Sequence, residues 1–356
     1  MTRIAAVHGA LAPHRHTQRE ITDMVARTCL PPGADRRVLD RLHRNARVNE
    51  RHMVLPLDRY PELDGLGAAN DVFIKAATEL GGEAVRGALR TAGLRPSDVD
   101  LLMFTSVTGV AAPSIDARLV GRLGLRPDVK RLPVFGLGCV AGAAGIARLH
   151  DYLLGWPDQV AVLLSVELCS LTFQRGDASL ANMVATGLFG DGAAAVVAVG
   201  GRRASQGGGH GGCPEVVATR SRMYPDTENV MGWDISGSGF RVVLDPAVPD
   251  VVRRYLRDDV HGFLEEHGLK PKDVAAWVCH PGGPKVLETV ADVLALPEGA
   301  LDITWRSLAE VGNLSSSSVL HVLRDTMARR RPEPGTPGLI MAMGPGFCCE
   351  LVLLRW

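Results

Sequence analysis

Cys139 stands where an apolar run, PVFGLG (133–138), gives way to a helix-like stretch of small residues, VAGAAGIA (140–147). A thiol at a helix start feels unpaired backbone N–H groups and the positive end of the dipole, and both lower its pKa. The small residues would let the helix pack closely and let a bulky acyl group reach the sulfur. Such a nucleophile needs a base and a stabiliser for the developing oxyanion. His280 is the histidine candidate: in AAWVCHPGGPKVLE it ends an apolar strand and precedes a Gly-Gly-Pro turn. Strand ends in α/β sheets are where sites gather. Asn313, in AEVGNLSSSSVL, offers an amide donor just ahead of a serine-rich helix start. Each has a plainer reading: a small buried hydrophobe, a hydrogen-bonded core histidine, and a helix cap.

The same segment supports a second chemistry. Gly136-x-Gly138-x-x-Ala141 follows a strand and opens a helix, as a dinucleotide fingerprint does, with Glu167 as the ribose-binding acid. Glu167 lies farther downstream than the ~20 residues such an acid usually keeps. This reading also leaves His280 and Asn313 unexplained. His14, His16, His43, His150, His261 and His267 sit in polar or helix-like stretches and are expected to be solvated. The seven cysteines show no CxxC spacing, so neither a disulfide framework nor a metal site is expected.

The elements that would position these groups follow from the apolar pattern. Residues 68–92 carry apolar residues at helical spacing and stop at Gly93. Continuous apolar runs of strand length begin DVDLLMFTSVTG, RLPVFGLG, QVAVLLSVEL, AAAVVAVG, VAAWVCHPG, LIMAMGPG and ELVLLRW. Strands apolar on both faces, alternating with helices, predict a layered α/β protein with a buried sheet. Residues 93–99 read GLRPSDV and residues 268–274 read GLKPKDV, about half the chain later. Each follows an amphipathic helix and precedes an apolar strand. A second echo joins GDGAAAVVAV to FCCELVLLRW. Both point to a duplicated fold, divided as 1–205 and 206–356, with the Gly-rich stretch 200–214 as a flexible joint. TGLFGDG (186–192) and MGPGF (343–347) read as tight backbone turns.

Composition limits the function. The 356 residues carry 39 basic and 39 acidic side chains, a net charge of zero. That argues against nucleic-acid or membrane-surface binding through bulk charge. No apolar run approaches the ~18 residues of a membrane helix, and the N-terminus is a poor signal peptide, so a cytoplasmic protein is expected.

Together these segments resemble the type III polyketide synthases of the chalcone synthase kind, condensing enzymes of the thiolase fold. The matching pieces are GCVAGAAG at Cys139, LFGDGAAA at 188–195, CHPGGPKVL at His280, GNLSSSSV at Asn313 and MGPGF near the end. They come in family order over residues ~60–356. The resemblance implies a homodimer of five-layered αβαβα subunits. It implies iterative decarboxylative condensation of malonyl-CoA onto an acyl-CoA starter, the CoA thioesters being substrates and no cofactor being needed.

By the same resemblance Cys139 is acylated by the starter, while His280 and Asn313 bind the thioester carbonyl and stabilise the enolate. Phe189 and Phe240 stand between the CoA tunnel and the cavity. Cys169 and Thr172 fall on cavity positions, and Ser315 and the Gly344–Pro345–Gly346 turn on substrate-binding ones. Ala112 takes the place of a methionine that reaches into the partner's cavity. Arg41 aligns with a CoA-phosphate contact, but Asn45 falls where a lysine is common. Alanine at 112 and small residues at 169 and 172 predict a roomy cavity, and with it a fatty acyl starter and an alkylpyrone or alkylresorcinol product. The alternatives are malonyl-CoA or an aromatic acyl-CoA as starter, or a single-condensation ketoacyl synthase of the KAS III type.

Overall fold

The computed structural model describes residues 1–206 and 212–356. In chain order its strands are β1 (Thr2–Leu11), β2 (His14–Thr17), β3 (Glu50–Met53), β4 (Leu101–Thr105), β5 (Lys130–Val134), β6 (Val160–Leu168), β7 (Asp191–Gly200), β8 (Glu215–Met223), β9 (Met231–Ser236), β10 (Gly239–Leu244), β11 (Ala276–Cys279), β12 (Pro337–Gly344) and β13 (Cys348–Arg355). The helices are α1 (Gln18–Cys29), α2 (Arg37–Asn45), α3 (Gly65–Ala92), α4 (Ile115–Leu123), α5 (Ala141–Gly155), α6 (Leu180–Leu188), α7 (Gly201–Gln206), α8 (Val248–Glu265), α9 (Pro284–Val293), α10 (Asp302–Val311) and α11 (Ser318–Arg329).

Nine strands form one mixed sheet in the order β11-β12-β13-β8-β1-β7-β6-β4-β5. The five strands from the first half meet the four from the second where β1 pairs with β8 at Thr2–Val216 and Arg3–Glu215. Hairpins β2–β3 and β9–β10 stand apart from this sheet.

Side-chain alternation along the strands sorts them into layers. Val160, Val162, Leu164 and Val166 of β6 pack with Phe73, Ala77, Ala84 and Ala88 of α3. The intervening Ala161 and Leu163 pack with Ile146 and Ala147 of α5 and Leu320 and Leu323 of α11. That central core also takes Ile340, Ala342, Val352 and Leu354 from the second half. Their neighbours Leu339, Met341, Leu351 and Leu353 face the other way, onto Val252 and Leu256 of α8 and Leu287 of α9. Helix, sheet, central helices, sheet and outer helices thus follow in succession, the αβαβα arrangement of the thiolase fold. Burial on both faces is why these strands read as continuous apolar runs.

The sequence repeat is a structural repeat. Gly93 and Gly268 both adopt φ near +70 (67 and 69). Each is followed by a 3-10 turn, Pro96–Asp98 or Pro271–Asp273. Arg95 N–H donates to Asp98 Oδ2 and Lys270 N–H to Asp273 Oδ2, each at 2.8 Å. The turns lead into β4 and β11. The Gly-rich joint differs from expectation at its start, where Gly201–Gln206 is helical. Residues 207–211 of it lie outside the described residues.

Candidate active site

Cys139 lies in a 3-10 turn, Gly138–Val140, immediately ahead of α5. The turn is pressed against the loop after β12: a Cβ on Gly138 would come within 2.5 Å of Pro345, and one on Gly344 within 2.8 Å of the Val140 nitrogen. The small residues that follow serve packing. A Cβ on Gly142 would meet the Ser316 carbonyl oxygen at 2.3 Å, and one on Gly145 would meet Leu163 at 2.6 Å. The small-residue stretch is therefore what seats α5 between the two half-sheets.

His280 follows β11 directly, and its backbone N–H donates to the Met341 carbonyl at 2.9 Å. Both ring nitrogens are buried and have no hydrogen-bond partner among the described residues. Asn313 follows α10. Its Oδ1 accepts from the Ser315 N–H at 2.8 Å, and its Nδ2 donates to the Gly282 carbonyl at 3.4 Å. One of the two Nδ2 hydrogens is therefore left for another acceptor. Ser315 sits at φ +47, a strained conformation for a residue with a side chain, and its Oγ lies 3.5 Å from Cys139 Sγ. Contacts thus run unbroken from Cys139 through Ser315 and Asn313 to Gly282, whose own N–H bonds the His280 carbonyl at 2.9 Å.

The electrostatics are those of a dry site. Burial pushes the Cys139 thiol up to about 12, against the lowering effect of Ser315, and pushes His280 down to about 4. Contrary to the lowered thiol pKa expected from the helix start, desolvation is the largest influence on Cys139 and raises it. Both groups are neutral at pH 7, and Cys139 bonds Ser315 rather than His280.

Glu167 is not placed as a ribose-binding acid, because its carboxylate is engaged inside the core. It is wholly buried at the end of β6, where Oε2 accepts from the Val107 N–H at 3.1 Å, from Thr108 Oγ1 at 3.1 Å and from Ser106 Oγ at 3.3 Å. Its Oε1 accepts from Ser316 Oγ. Burial raises its carboxyl to about 7. Ser165 Oγ extends the network to Ser316 and Ser317 at 2.8 and 2.7 Å. This buried polar web ties β4 and β6 to the loop carrying Asn313 and Ser315, and it went unread in the sequence.

The remaining expected residues are dispersed over the chain. Phe189 is bridged to Asn313 through the backbone, and Cys169 is buried in the 3-10 turn Cys169–Thr172 after β6. Thr172 Oγ1 bonds the Cys169 carbonyl at 2.7 Å. Phe240, on β10, is packed by Trp233 and Phe135 with ring centroids 6.3 Å away in each case. The Gly346 carbonyl accepts from Thr227 Oγ1 at 3.1 Å. Ala112 is exposed on the loop before α4, and its peptide bond to Pro113 is cis. Arg41 is exposed on α2, where Arg37, Arg41 and Arg44 line a cleft of about 490 Å³. Two histidines expected in solvent are buried: His43, held by Thr22 Oγ1 at 2.8 Å and Thr186 Oγ1 at 3.3 Å, and His150.

Known families agree with this geometry. Residues 2–202 match the N-terminal domain of chalcone and stilbene synthases, and residues 215–356 match the C-terminal domain. The chain belongs to the chalcone and stilbene synthase family. It is a type III polyketide synthase, an acyltransferase-type condensing enzyme. It is 61% identical over 355 residues to a 1,3,6,8-tetrahydroxynaphthalene synthase of Streptomyces peucetius subsp. caesius, covering 100% of this chain and 93% of that one. It is 31% identical to a phloroglucinol synthase of Pseudomonas fluorescens, covering 100% and 99%. The crystal structure of 1,3,6,8-tetrahydroxynaphthalene synthase from Streptomyces coelicolor superposes with a TM-score of 0.92 at 29% identity, over 99% of both chains. Among the described residues of this synthase no His, Cys, Asp and Glu cluster could hold a metal, and no helix is long and apolar enough to cross a membrane.

Proposed function

We propose that this synthase primes and extends with malonyl-CoA alone and releases 1,3,6,8-tetrahydroxynaphthalene. The observation that carries this reading is the 61% identity, over the whole chain, to a synthase of that product. A tetrahydroxynaphthalene is a bare ten-carbon ring system with four hydroxyls, and five two-carbon units supply it. It keeps no alkyl tail, so the fatty acyl starter and the alkylpyrone or alkylresorcinol product expected from the sequence are not carried forward. Small side chains at 112, 169 and 172 do not by themselves specify a long acyl chain.

In the proposed mechanism Cys139 Sγ takes the starter acyl group and its proton leaves with the CoA thiol. Malonyl-CoA then binds with its thioester carbonyl against His280 and Asn313. Neutral His280 has a ring N–H with no partner among the described residues, and Asn313 Nδ2 has one hydrogen to spare. The C–C bond to the carboxylate breaks, CO2 leaves, and its electron pair forms an enolate whose oxygen these two donors hold. The enolate carbon attacks the acyl carbonyl on Cys139, the thiolate is expelled, and the extended chain returns to the sulfur for the next cycle. Phe189, Phe240, Cys169, Thr172, Ser315 and the Gly344–Gly346 turn are proposed to wall the cavity. The Arg37, Arg41 and Arg44 cleft is proposed to hold CoA phosphates.

A homodimer is proposed along β5. This edge strand is exposed over most of its length, its own Leu132 by 42%, and Val110 and Phe135 outside it are 45% and 48% exposed. An open sheet edge flanked by apolar side chains favours pairing with another copy. A cytoplasmic location suits its CoA-linked substrates.

The test is purified synthase with malonyl-CoA as the sole substrate, then with acetyl-, octanoyl-, palmitoyl- and coumaroyl-CoA added, products read by mass. The expected result is tetrahydroxynaphthalene from malonyl-CoA alone. Products that retain an added starter, with none from malonyl-CoA alone, would overturn the reading.

A further inference from the structure

Hairpin β9–β10 carries Phe240 but lies outside the nine-stranded sheet, so no sheet register fixes its distance from the opposite wall. A buried side chain bridges the hairpin to the Thr172 loop. Gln174, 6% exposed, lies two residues past the turn that ends at Thr172. Its Nε2 reaches three backbone carbonyls: Thr172 at 3.1 Å on its own loop, and Phe240 at 3.3 Å and Ser238 at 3.5 Å on the hairpin. The backbone that carries Gln174 is itself anchored, because Asn182 Nδ2 donates to the backbone carbonyls of Gln174 at 3.3 Å and of Asp177 at 2.8 Å. On the hairpin side Gly239 has φ +117, a conformation closed to other residues, and a Cβ there would lie 3.4 Å from Gln174 Nε2. The tip is also tied down by the Gly237 carbonyl, which accepts from the Leu66 N–H at 3.1 Å.

We propose that Gln174 is a positioning residue that fixes the separation of two cavity walls, Thr172 and Phe240, and thereby the length to which the polyketide grows before release. The proposal rests on reading Thr172 and Phe240 as cavity walls. Nothing in the contacts of Gln174 touches Cys139, His280 or Asn313, so it acts on the shape of the space and not on the chemistry. Without the amide donor these three carbonyls lose a shared partner, and the hairpin at Phe240 is held to the Thr172 loop less firmly. A growing chain is then held less well for the last extensions and the ring closure, and shorter lactones leave early.

Gln174→Met keeps the reach and removes the donor; Gln174→Lys keeps donors at similar reach. Each variant is incubated with malonyl-CoA, and the ratio of truncated lactones to the longest product is read by mass. Malonyl-CoA decarboxylation and the melting temperature are measured alongside. The expected result for Gln174→Met is a ratio raised by up to about a hundredfold, the scale of a 1 Å misplacement, with decarboxylation unchanged; Gln174→Lys returns the ratio toward wild type. A wild-type ratio in folded Gln174→Met overturns the proposal, as does a fall in decarboxylation equal to the fall in product. If Gln174→Met does not fold, Gly239→Ala, which strains the hairpin backbone beside Phe240 because φ +117 disfavours a side chain, decides in the same way. The ratio is measured against whatever longest product the wild type makes, so it stands even if that product is not a tetrahydroxynaphthalene.

Discussion

Phe189 and Asn313 are bound to each other through the backbone. The Asn313 N–H donates to the Leu188 carbonyl at 2.8 Å, and the Asn313 carbonyl accepts from the Gly190 N–H at 3.0 Å. A phenylalanine from the first half and an amide donor from the second are therefore held together. Arg51 locks that pair from below. Its guanidinium is wholly buried, with Nη1 on the Thr186 and Phe189 carbonyls at 2.7 Å each and Nη2 on Gln18 Oε1 at 2.8 Å.

The Arg51 clamp is testable by stability. Burial without a carboxylate in contact already costs the guanidinium, holding it down at about 9. Removing it would still be worse, because each carbonyl left unpaired in the core costs about 1–3 kcal/mol. Arg51→Met is expected to lower urea stability by about 3 kcal/mol, and Arg51→Lys, which reaches one carbonyl, by less. A methionine variant as stable as wild type would show that the two carbonyls do not depend on Arg51.

The close approach of α5 to the Asn313 loop gives a second test. Gly142 faces the Ser316 carbonyl, and Ser316 Oγ bonds Glu167. Gly142→Ala forces backbone against backbone, with no flexible side-chain end to yield. Although alanine is the better helix former by about 1 kcal/mol, the variant is expected to melt below wild type and to lose product formation. A higher melting temperature would mean that helix propensity outweighs the clash.

Much of the frame was legible because burial on both faces leaves a continuous apolar run, as in β6, and because duplication left GLRPSDV and GLKPKDV as copies of one turn. Cys139, His280 and Asn313 stood out as residue types at element ends. The clamps did not. Arg51 and Gln174 act on carbonyls of residues far along the chain, and a backbone carbonyl has no sequence signature. His43 read as solvated because α2 is rich in arginine; it is buried because Gly187 lets α6 close over its ring, where a Cβ would come within 2.8 Å. The helix-start argument for Cys139 was local, and desolvation, a property of the whole packed site, reversed its sign.

Buried His43 makes stability depend on acid. Its pKa falls from 6.5 to about 3 through burial first and the charge of Arg51 second. The unfolded chain therefore takes up a proton below about 6.5 that the folded chain refuses until about pH 3. Stability from this group is full above 6.5 and is lost as pH falls. Glu167 and Asp191, raised to about 7 and about 6, act in the opposite sense, so the wild-type slope is mixed. The difference between wild type and His43→Asn isolates the histidine. The variant is expected to lose less stability than wild type between pH 7 and 5 in urea unfolding; parallel curves would mean that His43 does not titrate with folding.

Cys139→Ala separates the two halves of the proposed cycle. Alanine keeps the small volume, so the fold should survive, while the acyl carrier is gone. Condensation products are expected to fall below detection, and decarboxylation of malonyl-CoA to persist, since His280 and Asn313 remain. Full-length product from this variant would exclude Cys139 as nucleophile.

The resting state of that thiol is the last point, and here local and global arguments predict different curves. A Cys139–His280 ion pair would hold thiolate at pH 6, and alkylation by iodoacetamide would already be fast there and flat with rising pH. The structure instead has a thiol at about 12 bonded to Ser315 and an imidazole at about 4 with no partner among the described residues. Only the thiolate is the nucleophile, so the inactivation rate should rise about tenfold per pH unit through the neutral range. His280→Ala should leave that slope unchanged, because the neutral imidazole lends the sulfur no charge. Ser315→Ala should flatten nothing and slow the reaction, since it removes a hydroxyl that favours the thiolate. A rate independent of pH above 6 in wild type, and dependent on it in His280→Ala, would establish the ion pair and overturn the neutral resting state.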